Sequence, residues 1–63
     1  MSKEYNIWRG CALKAASSAI NKECLALLRD KQVGAEEKLL ALRAMLNEQG
    51  RIELEYLKAM EGV

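Results

Sequence analysis

Apolar residues recur along this chain at helical spacing, and the repeat falls into two blocks separated by a short polar break. In the second block Leu39, Leu42, Leu46, Gln49, Glu53, Tyr56 and Met60 follow one another at steps of three and four, with Met45, Ile52 and Leu57 widening the stripe. That is the seam of a helix that packs along one side, as in coiled coils and bundles. In the first block Leu13, Ala16, Ile20, Cys24 and Leu27 share one face, and a second strip of Trp8, Ala12, Ala15, Ala19 and Ala26 runs beside it. The break is "DKQVGAEE", residues 30–37, where Gly34 is placed to close one helix and Glu36 and Glu37 to open the next. The pattern predicts helix 1 over residues 3–32, a turn at 33–34 and helix 2 over residues 35–61.

The expected fold is all-α: an antiparallel two-helix hairpin, one domain over residues 1–63, which dimerises into a four-helix bundle. Two observations lead to the dimer. Both helices are apolar over more than one stripe, whereas a lone hairpin covers only one stripe per helix, and uncovered apolar patches mark interfaces. A chain of 63 residues also buries little on its own, and two-fold pairing is the commonest remedy. The residues expected to carry self-association or a partner interface are Trp8, Leu13, Ala16, Ile20, Leu27, Leu39, Leu42, Leu46, Ile52, Tyr56 and Met60. With the turn near residues 33–34, residue k lies opposite residue 66 − k. Gly50 is then expected against Ala16, small residue to small residue, the alternative being a helix break at "NEQG". Arg9 is expected to reach Glu53, Gln49 to set register, and Tyr5 and Trp8 to meet Tyr56 and Met60 and close the open end.

Composition narrows the chemistry. There are two cysteines and no histidine, so the usual zinc sets and a thiol activated by imidazole are both missing. Cys11 and Cys24 are thirteen residues apart, about 140° around a helix, which does not suit a disulfide. Cys24 reads as a small core residue and Cys11 as an exposed thiol. Glu36/Glu37 and Glu53/Glu55 are at spacings that do not face one another on a helix. The isolated glycines form no phosphate-cradling loop. No catalytic, cofactor-binding or metal-binding residue is identified; the chain is expected not to be an enzyme and to need no cofactor.

Charge refines the picture of partners. Residues 1–33 carry six bases and three acids, and residues 34–63 carry four bases and six acids; halves of opposite sign suit antiparallel neighbours. Lys14, Lys22 and Arg29 form a basic stripe on the polar back of helix 1, a candidate nucleic-acid contact that a two-fold axis would double. The footprint is small for a chain of net charge +1. Nothing in the chain is apolar for long enough to span a membrane, and residues 1–10 lack the apolar stretch of a secretory leader. A cytoplasmic location is expected.

From "MSKEYNIWRGCALKAA" to "EYLKAMEGV" the chain resembles the small helical accessory proteins of temperate, lambda-like bacteriophages. The resemblance implies a compact helical oligomer that acts on a host bacterial regulator in the host cytoplasm. The leading functional expectation is therefore a homodimer that works by binding an unidentified protein. Second to it stands a nucleic-acid-binding regulator using Lys14, Lys22 and Arg29.

Overall fold

A computed structural model describes residues 2–63 as two helices, α1 (Lys3–Arg29) and α2 (Ala35–Glu61), packed against each other in an antiparallel hairpin. Ser2 starts α1: its hydroxyl accepts the Tyr5 N–H at 3.1 Å, which satisfies one of the donors a helix start leaves open. The far end comes three residues before the expected Gln32. Asp30 adopts extended backbone, and its carboxylate accepts the Gln32 N–H at 2.8 Å. This local turn competes with one more turn of helix, which is the usual behaviour of aspartate. Gly34 plays a different part from the one expected. It is the N-cap of α2 in ordinary extended backbone, and no residue described has positive φ. Lys38 then ties the turn together, its ammonium donating to the Leu28 carbonyl at 3.2 Å, one of the acceptors a helix end leaves unpaired.

α2 runs unbroken through Gly50. The register expected from the turn holds, because Ser17 meets Gln49. The rotation of the helices does not. Gly50 faces open space, with nothing within 4 Å of where a Cβ would stand, and Ala16 is exposed. The inner face of α1 is Gly10, Leu13, Ser17, Ile20, Cys24 and Leu27; that of α2 is Met45, Gln49, Ile52, Tyr56 and Ala59, with Leu42 and Met60 at its border. Both sets keep steps of three and four, so the stripe on α2 has turned by part of a residue step, leaving Leu39 and Leu46 outside at 58% and 56% exposure. The physical reason is Glu53. At the centre of the seam its carboxylate would lose its water; turned to the border it keeps solvent on one side and protein donors on the other.

The close approach falls at Gly10. A Cβ there would stand 3.5 Å from the Tyr56 ring and would collide with the terminal methyl of Met60. Trp8, at 71% exposure, and Tyr5 point away from that contact, because positions 5 and 8 lie off the face that carries Asn6 and Gly10. Asn6 ties the open end instead, donating through Nδ2 to the Gly62 carbonyl at 3.4 Å. The hairpin measures 46 × 15 × 10 Å. No helix among the described residues is long and apolar enough to cross a membrane.

Candidate interaction face

The hairpin's core is thin. Ile52 and Ala59 are its buried apolar residues, beside Gly10 and one buried polar residue, Ser17. Much of the remaining apolar surface lies on one broad side. With about 100° between successive residues, Ile7, Leu25 and Leu28 project from the flank of α1 that also carries Cys11, Lys14 and Asn21. Leu39, Leu46 and Leu57 project from the flank of α2 that carries Glu53. Contacts across the hairpin show that the two flanks share a side. Lys14 bonds Glu53, Asn21 bonds Gln49, and Ile7, Cys11 and Lys14 line a shallow pocket of about 200 Å³ with Gly10, Tyr56 and Met60. The six large side chains on this face are each 40–58% exposed.

A polar cluster divides the face. Lys14 Nζ donates to both Glu53 oxygens, at 3.0 and 3.2 Å, and sits 4.5 Å over the Tyr56 ring. The Ser17 hydroxyl donates to Glu53 Oε1 at 2.7 Å. Gln49 Nε2 donates to the Ser17 carbonyl and hydroxyl and to Asn21 Oδ1, at 3.2, 3.1 and 2.7 Å. These bonds hold the Glu53 carboxyl below its usual range, the Ser17 hydroxyl having the largest effect and Lys14 the next. Among the described residues no buried side-chain polar atom lacks a partner, so the cluster's buried member, Ser17, is satisfied while Lys14 and Glu53 keep one side to solvent.

The opposite side of the hairpin carries ion pairs beside the exposed Tyr5 and Leu40. Arg9 pairs with Glu55 at 2.6 Å, Lys58 approaches the same carboxylate at 3.6 Å, and Arg51 pairs with Glu48. Arg9 thus reaches Glu55 and not the expected Glu53. Positions 53 and 55 are about 200° apart around the helix, so a guanidinium on that side can meet only one of them.

The residues singled out in the sequence divide accordingly. Leu13, Ile20, Leu27, Leu42, Ile52, Tyr56 and Met60 line the seam within the hairpin or its border, while Trp8, Ala16, Leu39 and Leu46 are exposed. Lys14, Lys22 and Arg29 remain on one flank, yet Lys14 is committed to Glu53 and is not on the polar back. Lys22 and Arg29 form no ion pair among the described residues. Cys24 packs with its Sγ 3.6 Å from the Met45 sulfur, and Cys11 is exposed. Ser17 and Asn21 join the polar cluster and were hidden in the sequence, because a serine pair among alanines does not show which hydroxyl faces the other helix. Leu25, Leu28 and Leu57 were legible as leucines but not as one face, since that requires the relative rotation of the two helices. Comparison with family models, with curated proteins and with solved structures gives no match for this chain.

Proposed function

We propose that the chain is a cytoplasmic, non-enzymatic accessory protein that self-associates through its leucine-bearing face as a homodimer and acts by binding another protein. The observation that carries the reading is the gathering of six large, half-exposed apolar side chains on one side of a 63-residue chain. Its magnitude is consistent with an interface. Folded monomers of 7.1 kDa expose roughly 4,100 Å², and this hairpin exposes 4884 Å². The excess, about 800 Å², is what one partner contributes to an interface of standard size. With that face covered by a second copy, the charged side and the ends of the bundle, Trp8 included, remain for a protein partner. Aromatic side chains of this kind are effective anchors in such contacts. The resemblance to phage accessory proteins gives the partner a direction, a host regulator. A nucleic-acid reading would have to rest on Lys22 and Arg29, since Lys14 is engaged by Glu53.

The test is the molar mass by light scattering after gel filtration, in reducing buffer, over a hundredfold range of concentration. Twice the 7.1 kDa chain mass is expected. Leu25→Glu combined with Leu46→Glu should return the monomer, while Leu40→Glu, off this face, should leave the mass unchanged. A wild-type monomer at every concentration would overturn the reading.

A further inference from the structure

Two flat hairpins can pair face to face about a two-fold axis in two ways. With the axis along the hairpin, the turns lie at one end and α1 of each copy lies against α2 of the other. With the axis across it, the turns lie at opposite ends and α1 lies against α1. Apolar matching does not separate them. The first places the leucines near the turn against their own copies, and the second places them against Ile7 and Leu57 near the open end.

Charge separates them. Between Lys14 and Arg29 the α1 flank on this face carries Lys14, Lys22 and Arg29 and no acid, while the α2 flank is mixed, with Glu53 level with Lys14 at its middle and Lys38 and Arg43 nearer the turn. Pairing α1 with α1 sets two basic flanks side by side at an interhelical spacing of about 8–10 Å, within about one screening length at physiological salt. It also brings the two Lys14 side chains within about one helical turn along the axis. Pairing α1 with α2 puts the two basic flanks on a diagonal, about 1.4 times farther apart and beyond that length. Lys14 and Glu53 are level within one hairpin, 3.0 Å apart. The two-fold axis therefore sets Lys14 opposite the partner's Glu53, closing a ring of four alternating charges at the centre of the interface.

We propose that the second copy docks in the first way, turns together, and that the polar cluster around Lys14 and Glu53 selects this orientation over its alternative. The proposal rests on the self-association read above. It assigns the cluster a role the isolated hairpin does not require: specifying orientation, as buried polar groups do in some helical assemblies.

The experiment is a distance between spin labels in the intact chain. Gly34→Cys, on a background of Cys11→Ser and Cys24→Ala, places one label at each turn, where nothing lies within 4 Å of the added Cβ. Mass is measured first. In a dimer with the turns together the labelled positions are about 11–14 Å apart, the diagonal of four helices at ordinary interhelical spacing; with the turns apart they are about 46 Å apart, the length of the hairpin. Val63→Cys reports the same difference from the open end. A dimer with both separations short supports the orientation. A dimer with long separations overturns it and leaves self-association standing, and a monomer overturns both.

Discussion

Replacing Gly50 by alanine tests the rotation of α2 directly. The position lies in the middle of a 27-residue helix, where glycine costs about 0.8–1 kcal/mol relative to alanine through its larger loss of backbone freedom on folding. No residue described has positive φ, so alanine meets no backbone strain, and its methyl group has nothing within 4 Å to strike. The gain is therefore about 0.8–1 kcal/mol with no steric offset. For a chain this short that raises the melting temperature by about 4–8 °C. Urea unfolding followed by circular dichroism at 222 nm measures it, on the monomeric Leu25→Glu, Leu46→Glu background because Gly50 lies beside Leu46 and Leu57 on the face a second copy would cover and self-association shifts apparent stability. Gly10→Ala is the control. It has the same propensity gain, but its methyl group strikes the Met60 terminus, which must move toward the pocket by Ile7 and Cys11 at a rotamer cost of about 0.5–1.5 kcal/mol. Its net effect is near zero. Gly50→Ala that leaves stability unchanged or lowers it refutes the rotation, because a lost close approach is what packing against Ala16 would produce.

Three further outcomes follow from named contacts. Ile52→Ala removes most of the larger of the two buried apolar side chains and should cost about 2 kcal/mol or more, against less than about 0.5 kcal/mol for Leu40→Ala on the exposed surface; equal costs would contradict the assigned seam. Ser17→Ala and Lys14→Gln should each raise the Glu53 carboxyl pKa toward the ordinary range, since the Ser17 hydroxyl and the Lys14 ammonium both lower it; NMR titration of the carboxyl carbon measures the two shifts, and no shift in either variant contradicts the network. The lowered Glu53 pKa also fixes a sign. Its stabilising effect is complete above the unfolded carboxylate value of about 4.3 and is lost as pH falls through the folded value. The wild-type chain should thus be more stable than Glu53→Gln at neutral pH, with the gap closing in acid; a gap that does not change with pH contradicts the network.

Much of the fold was legible from the chain alone. Helix type, number and the start of α2 follow from helix-forming composition, steps of three and four, and a single polar break. These are local properties, decided by backbone propensity and the period of the apolar positions. Register was legible too, because a short turn leaves little freedom in which residues lie level: Ser17 and Gln49 meet as counting from the turn predicts. The end of α1 was misplaced by three residues because Asp30 closes its own turn, a side-chain choice that periodicity does not register.

What only the tertiary structure decided is rotation about each helix axis. On α2 the stripe through Leu39, Leu46 and Glu53 and the stripe through Met45, Ile52 and Ala59 have the same period, so the sequence offers both. The choice falls on the second because it leaves the Glu53 carboxylate at the border, where water, Lys14 and Ser17 can all reach it. That one rotation moves Gly50 out, brings Gly10 in and turns Leu39 and Leu46 outward. It creates the leucine-bearing face, whose members belong to two helices and are brought side by side only once both helices are oriented.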